Sequence, residues 1–283
     1  MTLYKTTRVN GLTIFYREAG DPAKPVLLLL HGFPSNSRMF ENLIPLLSDR
    51  YRCIAPDFPG FGFSDAPDPD QFAYTFDHLA EIIRAFTDSL HLNSYHLYLQ
   101  DYGGPIGFRL ILAEPQRVKK IIIQNAVSHK EGLSPLWAVR KAFWRDRKTY
   151  EAQVRQNFTS LEAARQRHVG TSPHPEHINP DTWNDEYAFL TRPGQDRIQL
   201  DLFYDYQTNV ASYPKWQAWL REHQPPLLVV WGKYDPSFTI DGANAYKRDV
   251  PAAEVQIVDA GHFALDEAAP DIARYIRDFL GKQ

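Results

Sequence analysis

The sequence predicts an α/β fold: a mostly parallel central sheet flanked by helices, with a helical segment inserted late in the chain. Three observations predict it. Short apolar runs that do not alternate, such as Val26–Leu30, read as strands buried on both faces. These runs take turns with stretches of helical apolar spacing, the rhythm of parallel strands joined by crossover helices. From about residue 128 to about residue 223 that rhythm stops, and it resumes at Leu227.

The elements follow in order. Residues 12–17 alternate in character and suit an early strand. Val26–Leu30 is a continuous apolar strand that runs into "HGFP". Residues 52–55 make another short strand, followed by "PDFPGFGFSD", a loop full of turn residues. Residues 74–90 carry apolar side chains at Phe76, Leu79, Ile82, Ile83 and Phe86, the spacing of one helix face. A strand at 95–99, a helix at 104–113 and a strand at 118–123 continue the pattern. The segment 128–223 is rich in Trp, Tyr, Arg and Gln and shows no clear strand, with a helical stretch at 148–164. A strand at 227–231, a helix at 241–248, a strand at Glu254–Val258 and a helix at 271–280 complete the chain. The expected organisation is a core of residues 1–127 and 224–283, interrupted by a helical lid over 128–223. Ligands of open α/β sheets sit at the carboxyl ends of the strands, so an insert leaving there would cover the site.

Composition narrows the function. Of 283 residues, 43% are hydrophobic and 23% charged, as in ordinary globular proteins. The formal net charge of −3 draws the surface neither to nucleic acid nor to anionic membrane. The apolar run Val26–Leu30 is too short to span a bilayer. The single cysteine, Cys53, makes no internal disulfide, and the opening "MTLYKTTRVNGL" lacks the apolar core of a signal peptide. A cytoplasmic location is the resulting expectation. No internal repeat or low-complexity tract is visible.

Loops at the expected strand ends collect the reactive residues. They are "HGFP" at His31, "QDYGG" at Asp101, "WGKYDP" at Asp235 and "AGHFAL" at His262. In an α/β-hydrolase the nucleophile occupies a sharp strand-to-helix turn, usually G-x-S-x-G. The matching turn here is Leu99-Gln100-Asp101-Tyr102-Gly103, with aspartate in place of serine. Taken in order, the four loops resemble the α/β-hydrolase superfamily, in the branch of epoxide hydrolases and haloalkane dehalogenases. The resemblance covers nearly the whole chain outside the insert and implies the α/β-hydrolase fold. It casts Asp101 as nucleophile, His262 as base and Asp235 as the acid that orients the histidine. Some families place that acid after the preceding strand; here that strand ends Ile123-Gln124-Asn125, with no carboxylate.

The resemblance implies a covalent mechanism. A carboxylate displaces a leaving group at saturated carbon and forms an ester, which water activated by the histidine then cleaves. The backbone N–H groups of Phe33 and Tyr102 are the expected oxyanion donors. The expected partners are a small apolar electrophilic substrate and water, with no cofactor. No metal is expected either. His174 and His177 sit in a proline-rich loop, "SPHPEHINP", without an obvious third ligand. Gly60 and Gly62 do not open a dinucleotide fingerprint. His31 reads as a brace for its own loop.

The leaving group divides the branch. Epoxide hydrolases resembling this chain protonate the opened ring with lid tyrosines. The lid stretch "LFYDYQTN" makes Tyr206 the first candidate and Tyr204 the second, while the region of the other usual tyrosine offers Phe143 and Trp144. Dehalogenases hold halide with a Trp after the nucleophile and a second Trp or Asn. Tyr102 and Phe33 occupy those positions, leaving a lid tryptophan, Trp137 or Trp144, as a single donor. Fluoroacetate dehalogenases carry an arginine directly after the nucleophile, where this chain has Tyr102. Epoxide hydrolysis is therefore the first reading and carbon–halogen hydrolysis the second. A ligand-binding protein on a hydrolase scaffold is the alternative from another class. A serine esterase is disfavoured, since no serine occupies the elbow.

Overall fold

The computed structural model describes residues 1–282. The chain begins with β1 (Leu3–Val9), β2 (Leu12–Ala19) and β3 (Val26–Leu30), then the single turn α1 (Ile44–Leu47) and β4 (Arg52–Pro56). Next come α2 (Phe76–Ser89), β5 (Tyr95–Gln100), α3 (Gly103–Ala113) and β6 (Val118–Gln124). Five helices follow without an intervening strand: α4 (Trp137–Arg145), α5 (Arg147–Thr159), α6 (Leu161–Val169), α7 (Asp181–Leu190) and α8 (Gln195–His223). β7 (Leu227–Gly232), α9 (Ile240–Asp249), β8 (Glu254–Val258) and α10 (Leu265–Gly281) end the fold.

The strands form one eight-stranded sheet in the order β1-β2-β4-β3-β5-β6-β7-β8. The β1–β2 and β2–β4 pairs are antiparallel, and every other pair is parallel. The central strands are apolar on both faces, and alternate residues serve opposite layers. Leu28, Leu30, Leu97, Leu99, Ile121, Ile123 and Val229 pack with α2, α3 and α9. Leu27, Leu29, Tyr98, Ile122, Leu228 and Val230 pack with α1 and α10. Sandwiched in this way, the carboxyl ends of β3, β5, β6 and β7 converge on one edge of the sheet.

Several elements differ from the expectation, each for a local reason. β1 was not expected; it is an edge strand, largely exposed, so no apolar face marks it. The helix expected at 148–164 is two helices, because Ser160 turns extended and its side chain accepts the Ala163 N–H, capping α6. The last helix starts earlier than residue 271: α10 runs from Leu265, bent at the non-helical Ala268 ahead of Pro270. Among the described residues, no helix is long and apolar enough to cross a membrane.

Candidate active site

Asp101 follows β5 directly, with φ of 46°, a left-handed conformation that aspartate seldom takes. The turn holds because glycines, Gly103 and Gly104, follow Tyr102. A Cβ on Gly103 would lie 2.2 Å from the Leu30 carbonyl oxygen, so only glycine lets α3 start this close to β3. The elbow lifts the Asp101 carboxylate clear of the sheet edge, where it is almost fully buried. The Phe33 N–H donates to its Oδ1 at 2.8 Å.

His262, after β8, stands between the two carboxylates. Its Nδ1 lies 2.6 Å from Asp235 Oδ2, and its Nε2 lies 3.8 Å from Asp101 Oδ2. Asp235, on the loop after β7, is fixed from both sides. Its Oδ1 accepts the Ser237 N–H at 2.7 Å and the Phe238 N–H at 3.0 Å. Its Oδ2 also accepts Asn125 Nδ2 at 2.8 Å, while Asn125 Oδ1 accepts the Gly232 N–H at 2.9 Å.

Asn125 therefore occupies the alternative acid position at the end of β6, and its amide ties the β6 and β7 ends together. Like Asp101, it has a left-handed φ, 43°. Gln100 completes the surround, with its Nε2 3.1 Å from His262 Nε2. His31 braces its loop, accepting the Phe58 N–H at 3.1 Å, and burial holds its pKa down to about 3.

The electrostatics set the titrations in opposition. Burial raises the Asp101 pKa, while His262, the Phe33 N–H, Arg140 and the Tyr102 N–H all favour its charged form. Burial works against a charged His262, but Asp235, through charge and hydrogen bond, and Asp101 outweigh it, so its pKa is raised. Tyr206 is raised by burial first and by Asp101 next, which keeps its proton on the hydroxyl.

These residues open onto a cavity of about 300 Å³ beneath α4, α5, α6 and α8. Phe33, Trp137, Phe158, Phe203 and Tyr206 form its aromatic wall. Of the four lid aromatics expected there, Trp137 and Tyr206 line it and two do not. Tyr204 is two residues from Tyr206 on α8, hence on a different helix face, and packs edge-on against Phe143. Trp144 stacks behind Tyr206 with the ring planes 7° apart. Nor does either indole offer a free donor. Trp137 Nε1 donates to the Ser237 carbonyl at 3.1 Å, and Trp144 Nε1 to the Phe203 carbonyl at 2.8 Å.

Among the lining residues that the sequence does not single out are two cations, Arg140 of α4 and Arg167 of α6, so the cavity is not uniformly apolar. His174 and His177 lie far along the chain from these loops. They form an exposed cluster with Glu176, ligand atoms within 4.8 Å of one another, and have no buried donor.

Residues 25–269 match the family of the alpha/beta hydrolase fold. The chain belongs to this family. Among α/β-hydrolase relatives it is similar to the uncharacterized hydrolase YNR064C of Saccharomyces cerevisiae, 41% identical over 272 residues, which span 94% of this chain and 93% of that one. The structure resembles haloalkane dehalogenase DbeA from Bradyrhizobium elkani, with a TM-score of 0.82, 22% identity, and 99% and 98% of the two chains covered. It resembles epoxide hydrolase CorEH to a similar degree, with a TM-score of 0.81, 18% identity, and 99% of each chain covered. At these identities the two structures speak for the α/β-hydrolase fold alone.

Proposed function

We propose that this α/β-hydrolase cleaves its substrate through a covalent ester on Asp101, and that the substrate is an epoxide. The observation that carries the reading is the placement of Asp101: one oxygen on the Phe33 N–H at 2.8 Å, the other 3.8 Å from His262 Nε2. A carboxylate held there has a donor for a developing oxyanion on one side and a base for water on the other.

The steps follow from that placement. An Asp101 oxygen bonds to a ring carbon, and the carbon–oxygen bond of the epoxide breaks. The electron pair stays on the ring oxygen, which takes the Tyr206 proton. His262 then takes a proton from water, and the resulting oxygen nucleophile attacks the Asp101 carboxyl carbon. The Phe33 and Tyr102 N–H groups hold the oxyanion. Collapse breaks the ester bond, the leaving alkoxide takes the proton from His262, and a diol departs. The carboxylic acid left at Asp101 ionises, and its proton restores Tyr206 through water. Asp235 keeps the His262 tautomer and stabilises its charged form.

Two observations favour an epoxide over a halide. Tyr206 lines the cavity under the influence of Asp101, and both lid indoles spend their N–H groups on carbonyls. The dehalogenase reading is kept as the second because its mechanism needs the same Asp101, Asp235 and His262. The test is His262→Gln, which forms the ester but does not hydrolyse it. After incubation with terminal epoxides and bromoalkanes, peptide mass spectra should show an adduct on Asp101, and its mass separates the two chemistries. An unlabelled Asp101 in the variant, together with an inactive wild type, would sink the covalent reading.

A further inference from the structure

Arg140 and Arg167 line the cavity beside its aromatic wall, and each guanidinium is only partly used. Arg140 Nη1 donates to Ser237 Oγ at 3.3 Å, and Arg167 Nη2 donates to the Phe158 carbonyl at 2.8 Å. Arg140 Nε and Arg167 Nη1 are buried without a partner. Among the described residues neither side chain has a carboxylate within ion-pairing distance.

This arrangement is costly without a ligand. An unpaired cation among aromatic rings loses hydration, and a second cation in the same chamber repels it. Burial first, and Arg140 next, bring Arg167 down to about 10, so it remains charged at neutral pH. The rings keep the planes in place. Arg140 lies 4.1 Å over Trp137 and 4.6 Å over Phe158; Arg167 lies 4.6 Å over Phe33 and 5.6 Å over Phe158. A stacked guanidinium leaves its in-plane N–H groups for an acceptor, and that planar fork matches a carboxylate.

We propose that Arg140 and Arg167 bind a carboxylate carried by the substrate, so that the electrophile opened at Asp101 is a small carboxylic acid anion rather than a neutral molecule. This rests on the covalent reading above and names its substrate class. The guanidiniums come from lid helices and Asp101 from the sheet edge, so the substrate lies with its anionic end in the lid and its electrophilic carbon at the elbow.

The test compares oxirane-2-carboxylate with its amide. The wild type should prefer the carboxylate by at least about 10-fold in kcat/KM, a gain of the size of one charge-assisted hydrogen bond or more. Arg140→Gln and Arg167→Gln should each cut the carboxylate-to-amide ratio by about 10–100-fold. Lysine at either position should recover part of it. A wild-type ratio near one, or a ratio that neither variant moves, overturns the proposal.

A wild-type measurement covers variants that fail to fold. Propionate should inhibit wild-type turnover of the amide competitively, and propionamide should not; equal inhibition by the two overturns the proposal. The covalent reading fails separately, by the absence of any adduct in His262→Gln. In that event propionate should still raise the melting temperature of the wild type but not of Arg167→Gln, and no rise in the wild type overturns the anion site as well.

Discussion

His262 Nδ1 and Asp235 Oδ2 are 2.6 Å apart, and the same oxygen also receives the Asn125 amide. The pair raises the His262 pKa above its ordinary value of 6.5. A base must be neutral to take a proton, so ester hydrolysis gains rate only as pH rises through that raised value. Ester formation needs an ionised Asp101, which a charged His262 favours. Single-turnover mixing across pH 5 to 9 should therefore show ester accumulating at the acid end, with hydrolysis slowing as pH is lowered, at a midpoint above 6.5, while formation persists. Coincident acid limbs for the two steps would contradict this assignment of roles. Asp235→Asn should slow hydrolysis by about 10³–10⁴-fold, since the wrong imidazole tautomer is then held.

The four reactive loops were legible because each sits where an apolar strand stops and small or turn residues begin. The end of β6 reads in the sequence only as the alternative place for the acid, and Asn125 carries no carboxylate there. Its contribution is an amide bridge, which residue type alone does not announce. The lid was harder. The buried positions Ile198, Leu202, Tyr206, Asn209, Tyr213, Trp216 and Leu220 recur every three or four residues, the mark of one long helix, yet polar members blur that stripe. Arg140 and Arg167 resemble surface arginines in the sequence. Only the packing of α4 and α6 over the sheet edge turns them inward.

Asn125 is expected to matter for stability as well as for the site. Asn125→Ala removes the donor to Asp235 Oδ2 and the acceptor for the Gly232 N–H, and puts alanine at a φ of 43°. Buried polar groups left without partners cost about 1–3 kcal/mol. A loss of that size in urea unfolding is expected, together with slower ester hydrolysis. Unchanged stability would mean that water replaces the amide.

Tyr206 and Tyr204 should behave differently. Tyr206→Phe removes the proton donor for ring opening and should lower the rate of epoxide opening by about 10²–10⁴-fold. It should affect bromoalkane labelling of Asp101 far less, because bromide leaves without a proton. Tyr204 does not line the cavity, so Tyr204→Phe should stay within about 3-fold of wild type, as usual for a change away from the reacting atoms. Rapid-quench measurement of ester formation on both substrates checks this, and equal losses for the two variants would remove Tyr206 from its assigned role.

His168 ties α6 to the body of the sheet. Its Nε2 lies 2.9 Å from Glu186 Oε2 and its Nδ1 2.7 Å from Asp266 Oδ2, and the ring stacks on Phe263 at 4.1 Å. Burial opposes its charge, but Glu186 and Asp266 outweigh burial and raise its pKa to about 10. A histidine raised on folding contributes stability that is fully present below its ordinary 6.5 and is lost as pH rises through about 10. Urea midpoints should therefore fall between pH 7 and pH 10 more steeply for the wild type than for His168→Gln, which has no such proton to lose. Parallel slopes for the two proteins would show that His168 is neutral in the fold. Because Phe263 is next to His262 and packs on the His168 ring, the variant should also slow ester hydrolysis at pH 7, where the wild-type ring is charged.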